Sequence, residues 1–177
     1  PFDHRQIIIG QGTIGLEILE QCPEVGTVFV PVGGGGMASG VAAAIKLSKP
    51  SVRIIAVEPE GAPKMTKSIA AGKPVTLPSS KTIADGLMNL RPGDITFAHV
   101  RAYVDEVVTV SEEAIASTVG WLFKNARLVV EPSGAVTTAA VANRLGHVDP
   151  AAGPVVAVVS GGNVAPEAFA KYVGAMA

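Results

Sequence analysis

The sequence predicts an α/β fold, a twisted parallel sheet with helices on both faces. Apolar runs of strand length at residues 27–32, 53–57, 107–110 and 154–159 alternate with stretches of helical apolar spacing. Continuous Val/Ile runs are typical of parallel strands that are covered on both sides. Ligands of such sheets bind at the carboxyl ends of the strands, so the loops after strands are the first candidates for a site.

Helices are predicted between the strands from caps and apolar spacing. Ser111 is suited to cap a helix whose first turn holds Glu112 and Glu113. Pro132 suits the first turn of another helix. The remaining predicted helices span 37–47, 64–71 and 164–176, and residues 72–93 are predicted to form a long loop of the kind that is often functional.

Composition indicates about one soluble domain. The chain has 177 residues, 48 % hydrophobic and 16 % charged, with a net charge of −1. These values exclude a disordered chain and supply no basic cluster for nucleic acid or an anionic membrane. Its apolar runs fall short of the ~20 residues that span a bilayer. The single cysteine, Cys22, is expected in the core. We expect a cytoplasmic protein that binds neither nucleic acid nor a membrane.

Four consecutive glycines, Gly33–Gly36, lie between a predicted strand and a predicted helix. Without Cβ atoms, the backbone N–H groups of this turn can close on an anion, and the following helix adds its positive N-terminal end. A tight turn alone would need one or two glycines. We interpret this glycine loop as a phosphate site.

The residues alone do not decide which kind of phosphate compound binds to this loop. Gly40 is followed by Val41 rather than by Lys and Ser or Thr, which disfavours a nucleoside triphosphate. Gly33-x-Gly35-x-x-Ala38 formally matches the dinucleotide fingerprint, and Glu58 ends the next strand where a ribose-binding acid would lie. The alternatives are an NAD-binding oxidoreductase domain and a non-catalytic remnant that binds a phosphate ligand or a companion chain.

A second glycine-containing loop, residues 160–163, follows the last predicted strand. Its serine, Ser160, could hydrogen-bond a ligand atom at the carboxyl edge of the sheet, while Gly161 and Gly162 allow close approach. The other interpretation is an N-terminal cap for the last helix, supplied by Asn163.

Six ordered motifs together resemble one enzyme group. The motifs are Gly10-Gln11-Gly12-Thr13-Ile14-Gly15-Leu16-Glu17, Pro31-Val32-Gly33-Gly34-Gly35-Gly36-Met37, Val57-Glu58-Pro59, Thr82-Ile83-Ala84-Asp85-Gly86, Val130-Glu131-Pro132-Ser133-Gly134-Ala135 and Ser160-Gly161-Gly162-Asn163. In these motifs the chain is similar to the threonine/serine dehydratase and serine racemase group of fold type II (tryptophan synthase β-like) pyridoxal-phosphate (PLP) enzymes. The similarity covers nearly the whole chain.

The resemblance implies roles for eight residues. The backbone of Gly33, Gly34, Gly35, Gly36 and Met37 would hold the PLP phosphate. Ser160 would donate a hydrogen bond to the pyridine nitrogen. Gly86 would pass near the substrate side of the ring, and Glu131 would lie below the cofactor unless it is only a first-turn helix carboxylate.

The resemblance also implies that the catalytic lysine lies elsewhere. Relatives bind PLP as a Schiff base on a lysine in a Ser-Phe-Lys-x-Arg-Gly type of segment, and the eight lysines here lie outside such a segment and are expected to be solvated. Residues 1–177 are thus predicted to be one portion of a large PLP-binding domain, without the lysine-bearing N-terminal segment or a regulatory domain, and catalytically incomplete. The whole enzyme would eliminate the β-hydroxyl of L-threonine or L-serine, giving a 2-oxo acid and ammonia.

The resemblance further bears on metals and partners. Some relatives bind a metal through a glutamate, a nearby carbonyl and an aspartate. Glu58 and the Ala62 carbonyl match, but Lys64 stands in the third place, so no divalent metal is predicted there, because an ammonium repels the cation and could replace it electrostatically. Expected partners are an amino-acid substrate, the missing segment or a companion chain, and further copies of the same chain.

Overall fold

The predicted parallel sheet is confirmed. The computed structural model describes residues 2–174, and the sheet in this part of the chain has the strand order β3-β2-β1-β4, with every neighbouring pair parallel. The strands are β1 (Thr27–Pro31), β2 (Arg53–Pro59), β3 (Glu106–Val110) and β4 (Val155–Ala157). The helices are α1 (Arg5–Gln21), α2 (Gly36–Ser48), α3 (Lys64–Ala71), α4 (Asp94–Tyr103), α5 (Glu112–Ala126), α6 (Pro132–Ala142) and α7 (Pro166–Gly174), with short 3₁₀ turns at Asp85–Leu87 and Pro150–Ala152.

Side chains of the central strand alternate between two apolar layers. Val28 and Val30 are buried among residues of α2 and α4, against which α1 packs, whereas Phe29 is buried against α6 and the start of α5. This alternation follows from the two-residue repeat of a strand. Complete burial of a side chain such as Phe29 stabilises the fold by roughly 1.5–3 kcal/mol. Helices thus cover both faces, as the continuous apolar runs predict.

Helices α1 and α2 approach each other through their backbones. A Cβ atom on Gly40 would lie 2.6 Å from the Gly12 nitrogen, and one on Gly15 would lie 2.8 Å from the Val41 carbonyl oxygen. Cys22, at the end of α1, is half-buried against the same apolar layer, in agreement with its predicted place in the core. Glycines at this crossing therefore set how closely α1 packs on α2.

Two strands have an end that differs from the sequence prediction by more than one residue. Strand β4 covers three residues rather than 154–159, because it pairs with β1 only from Val155 to Ala157 before the chain turns away. Strand β2 continues to Pro59 and therefore includes Glu58, which is buried. Helix α7 begins at Pro166, and Met176, predicted on its apolar face, lies outside the described residues.

Helix α4 has no counterpart among the elements that the sequence predicts. Its N-cap, Gly93, offers no side chain, and the free N–H groups of its first turn are satisfied from the distant Asp3. The Asp3 carboxylate accepts from the backbone N–H groups of Asp94 and Thr96, both at 3.0 Å. A capping group so far away in sequence leaves no local signal for the start of a helix.

No helix within residues 2–174 is both long and apolar enough to cross a membrane.

Glu106, at the start of β3, forms hydrogen bonds to two other segments and makes the stability of the fold depend on pH. Its Oε2 accepts from Arg53 Nη2 and from the His147 backbone N–H, each at 2.9 Å. Burial raises the pKa of Glu106, but these hydrogen bonds and the nearby positive charge lower it more, so the pKa lies below its usual value. The carboxylate therefore contributes stability above its unfolded-state pKa and loses that contribution as pH falls through its folded-state pKa.

We expect Glu106→Gln to reduce the free energy of unfolding at neutral pH by less than about 1 kcal/mol, because the ion pair is partly exposed. The same substitution should flatten the loss of stability below about pH 5. Urea unfolding across this pH range measures both effects, with Glu17→Gln on the exposed side of α1 as the control. An unchanged acid limb in Glu106→Gln would contradict the assignment.

Candidate functional site

A cavity of about 400 Å³ opens at the carboxyl edge of the sheet, beyond the ends of β1 and β4. Strand β2 pairs with one edge of β1, and β4 pairs with the other edge. The strand order therefore reverses between β1 and β4, where the cavity lies. Ligands of open α/β sheets bind at such switch points. The eight residues to which the resemblance gives a role at the cofactor all line this one cavity: Gly33, Gly34, Gly35, Gly36, Met37, Gly86, Glu131 and Ser160.

The glycine loop turns its carbonyls into the protein and leaves its N–H groups unused. The Gly34 carbonyl accepts from the Thr96 hydroxyl at 2.6 Å and from the Gly93 N–H at 3.2 Å. The Gly35 carbonyl accepts from the Ser39 N–H at 2.8 Å. Within residues 2–174, none of the backbone N–H groups from Gly33 to Met37 has a protein acceptor. A cluster of free N–H donors before a helix is the arrangement that binds a phosphate.

Close neighbours leave no space for side chains on this loop. A Cβ atom on Gly33 would lie 2.9 Å from Asn89 Oδ1, and one on Gly36 would lie 3.1 Å from the Phe2 carbonyl oxygen. Gly35 has a φ of +104°, which L-residues rarely adopt. The loop therefore requires glycine, and its N–H groups without protein acceptors fit the phosphate group of PLP.

Glu131 joins the second glycine loop to α6. It occupies the N-cap position of α6 without capping it through its side chain. Its carboxylate instead accepts from the Asn163 backbone N–H at 2.8 Å, and its own N–H donates to the Gly161 carbonyl at 3.3 Å. Asn163 does not cap the last helix, which begins only at Pro166, so that interpretation of the loop is wrong. Glu131 thereby holds Ser160 at the cavity wall.

Gly86 lines the cavity beside Gly33, and its N–H group is already engaged. It donates to Asp85 Oδ1 at 2.8 Å and to Ser133 Oγ at 2.9 Å. Ser133 is buried and also lines the cavity. Gly86 can therefore shape the cavity and present its carbonyl, but its N–H is not available to a ligand.

Sequence reasoning gave no role to three polar residues of the lining, Gln11, Asn89 and Ser133. Ser133 stands inside the Val130–Ala135 motif, so its neighbours carried a signal. Asn89 lies in the loop 72–93, which was expected to be functional only as a whole. Its contact with Gly33 depends on how this loop folds back over the sheet.

The expectation that Lys64 is solvated is wrong. The side chains of Lys64 and Glu58 are both fully buried, with Nζ 3.4 Å from Glu58 Oε2. Burial lowers the pKa of Lys64, and the Glu58 carboxylate opposes this shift. Glu58 also accepts from the backbone N–H groups of Met65 and Thr66 at the start of α3. Its carboxylate is thus fully engaged away from the cavity, which removes the ribose-binding acid of the dinucleotide alternative.

Within residues 2–174, the cavity has neither a lysine that could form a Schiff base nor an acidic cluster that could hold a metal. None of the eight lysines is among the cavity-lining residues. In the same part of the chain, no group of three His, Cys, Asp or Glu residues is placed to hold a metal ion. The absence of a divalent metal beside Glu58 remains a prediction.

Comparison with known proteins agrees with this geometry. Residues 1–161 match the model of a family described as pyridoxal-phosphate dependent enzyme. The L-threonine ammonia-lyase of Thermotoga maritima is 47 % identical over 164 residues, 93 % of this chain and 40 % of that protein. The serine racemase of Arabidopsis thaliana is 46 % identical over 167 residues, 93 % of this chain and 50 % of that protein. The structure of the processed form of threonine deaminase isoform 2 from Solanum lycopersicum has a TM-score of 0.89 at 36 % identity, covering 98 % of this chain and 51 % of that one.

The chain spans about half the length of these relatives, or less. The match nevertheless includes both glycine loops, the sheet and the cavity between them. By its sequence, its fold and the family match, this chain belongs to the pyridoxal-phosphate-dependent enzymes of fold type II, and its relatives include an L-threonine ammonia-lyase and a serine racemase.

Proposed function

We propose that this chain forms the phosphate- and ring-binding half of a PLP-dependent ammonia-lyase that acts on L-threonine or L-serine. The observation that carries the proposal is the convergence of the glycine loop, Ser160, Glu131 and Gly86 on one cavity of about 400 Å³. These residues come from four separate parts of the sequence, and folding brings them together. The similarity to an L-threonine ammonia-lyase supports the choice of reaction class.

The chain's own residues bind and orient the cofactor. The free N–H groups from Gly33 to Met37 hold the phosphate, reinforced by the positive end of α2. The Ser160 hydroxyl lines the cavity and would donate to the ring nitrogen of the bound cofactor as a neutral partner. Glu131 keeps that serine in place through Asn163 and Gly161. When bound, PLP supplies an electron sink for the charge that develops at the substrate α-carbon.

The imine-forming lysine is proposed to come from a segment outside this chain. All eight lysines lie away from the cavity lining, and Lys64 is committed to Glu58 and to backbone carbonyls. Such a segment, covalently linked or carried by a companion chain, would also cover the open side of the cavity. This chain by itself is then expected to bind the phosphate-bearing cofactor without turning over substrate.

Pyridoxine 5′-phosphate tests the binding half of the proposal, because it carries the ring and phosphate but forms no imine. We expect it to bind at least about tenfold more tightly than pyridoxine, measured by its fluorescence, since phosphate contacts at a helix N-terminus dominate. Ser160→Ala should weaken both ligands by a similar factor and leave the ratio unchanged. Preferential stabilisation by NADH, with no effect of pyridoxine 5′-phosphate, would overturn the proposal in favour of a dinucleotide site.

Complementation tests the reaction. The chain is joined to the part of the Thermotoga maritima L-threonine ammonia-lyase that it does not match, and the product is incubated with PLP and L-threonine or L-serine. Release of 2-oxobutyrate or pyruvate with ammonia supports the ammonia-lyase. A hybrid that binds PLP and yields D-serine without a 2-oxo acid would contradict it in favour of racemisation. A control hybrid with Ser160→Ala should retain the fold and lose most of its turnover.

A further inference from the structure

The ammonium group of Lys64 lies in a cage of oxygen atoms at the back of the cavity. Its Nζ lies 3.2 Å from the Val32 carbonyl, 3.1 Å from the Ala62 carbonyl and 3.0 Å from the Leu87 carbonyl. The fourth oxygen, Glu58 Oε2, is 3.4 Å away. The lysine side chain is completely shielded from solvent. Three carbonyls and one carboxylate in a buried shell form the kind of oxygen set that binds a hard cation.

The charge of this group follows from its partners. An ammonium has three N–H donors, whereas a neutral amine has two and a lone pair that would face an acceptor. The carbonyls and the carboxylate present only acceptors to Nζ. Glu58 balances the positive charge, and its other contacts fix it to the first turn of α3. A buried charge is tolerated when it is paired and fully hydrogen-bonded in this way.

The cage joins two neighbouring segments of the cavity lining. Val32 directly precedes Gly33, the first residue of the glycine loop, and Leu87 directly follows Gly86, whose carbonyl oxygen would lie 3.3 Å from a Cβ on Gly33. Val32 and Leu87 share no backbone hydrogen bond, and both use a carbonyl to reach Lys64. A single cation thus fixes the spacing of two loops that are far apart in sequence.

We propose that Lys64 is a positioning residue whose tethered ammonium holds the glycine loop and the Gly86–Leu87 segment at the spacing the ligand requires, so that a free alkylammonium can restore this spacing once the lysine side chain is shortened. The stability part of this inference stands on the cage alone. Its effect on ligand affinity rests on the proposed function, because both segments line the proposed cofactor site.

The first test is chemical rescue of Lys64→Ala in the 177-residue chain. This variant keeps Cβ and removes the atoms that n-propylammonium would supply. We expect a lower thermal unfolding midpoint than in the wild type, and recovery of most of the loss with n-propylammonium chloride. Neutral 1-propanol and tetramethylammonium chloride at equal concentration should not restore it, since one lacks charge and the other lacks N–H donors. If the variant does not fold in buffer, the same additives are compared by the folded fraction after refolding from urea.

Two further variants separate charge from packing. Lys64→Met keeps most of the side-chain volume but no charge, so it should be destabilised and should not respond to n-propylammonium. Lys67→Ala, on the exposed side of the same helix, is the matched control and should behave as the wild type. Equal midpoints for Lys64→Ala, Lys64→Met and the wild type, or rescue by 1-propanol as well as by n-propylammonium, would overturn the proposal.

A purely structural role of Lys64 would leave the ligand affinity of the folded variant unchanged, so ligand affinity is measured as well. At a temperature where Lys64→Ala is fully folded, its affinity for pyridoxine 5′-phosphate should be roughly tenfold lower and should rise with n-propylammonium, as loss of hydrogen bonds to a charged group implies. Unchanged affinity in the folded variant would contradict the positioning role. If the wild type does not bind this ligand, the proposed function fails, while the rescue of the unfolding midpoint still decides the cation cage.

Discussion

Gly40→Ala should lower the free energy of unfolding by about 2–3 kcal/mol, because the added methyl group has only backbone to meet. Its Cβ would lie 2.6 Å from the Gly12 nitrogen and 2.9 Å from the Gln11 carbonyl carbon. These atoms belong to α1 and cannot rotate away as a side chain would. The gain of about 1 kcal/mol that alanine brings to a helix is already included in this estimate. Urea unfolding monitored by circular dichroism measures the change.

Two substitutions in α1 serve as controls for this effect. A Cβ on Gly12 would meet the Gly40 carbonyl at 3.4 Å, an ordinary contact, and one on Gly10 would meet no atom within 4 Å. Gly12→Ala should therefore change stability little, and Gly10→Ala should stabilise the chain by roughly 0.5–1 kcal/mol through helix propensity. If Gly40→Ala were as stable as Gly12→Ala, the close approach of α1 and α2 would be wrong.

Gly35→Ala should abolish most of the affinity for pyridoxine 5′-phosphate. At a φ of +104° the alanine is strained, and its Cβ would lie 2.8 Å from the Thr96 Cβ and 2.9 Å from its Oγ1. Thr96 is buried, and its hydroxyl holds the Gly34 carbonyl, so the loop rather than the helix must move. Such strain costs of order 1–3 kcal/mol, and a displaced loop no longer aims its N–H groups at one point. The affinity should fall by more than about tenfold.

Gly72→Ala is the matched control for the second prediction. Gly72 also has a positive φ, +67°, but a Cβ there meets no atom within 4 Å. This substitution should cost about 1 kcal/mol in stability and leave ligand affinity unchanged. A folded Gly35→Ala variant with wild-type affinity would show that the glycine loop does not hold the phosphate.

The sheet and the glycine loop could be predicted because their signals are local, whereas the roles of Gly86 and Glu131 were predicted only from the resemblance. Parallel strands buried on both faces appear as unbroken Val/Ile runs, and a glycine loop after a strand can be recognised directly in the sequence. Helix α4 escaped prediction because its first turn is satisfied by Asp3, far away in sequence. Its Thr96 then supports the glycine loop from behind.

The burial of Lys64 was missed for a related reason. Lysine in a polar stretch is ordinarily solvated, and only folding brings the Val32, Ala62 and Leu87 carbonyls together around it. Glu58 stood out in the sequence, but the dinucleotide alternative paired it with a ribose, whereas its partner is this lysine. Contacts between segments that are separated in the sequence by entire helices or strands could not be predicted.

The strand order has a consequence for how the chain folds. Strands β1, β2 and β3 follow one another in sequence and can pair early, whereas β4 pairs with the central strand β1 from the opposite end of the chain. Such a distant pairing carries a large loop-closure entropy and forms late. Ser160 lies three residues after β4, so its place in the cavity lining is set only when this last strand docks. We therefore expect ligand binding to be acquired late in folding, and partly folded chains with an intact first glycine loop to remain without it.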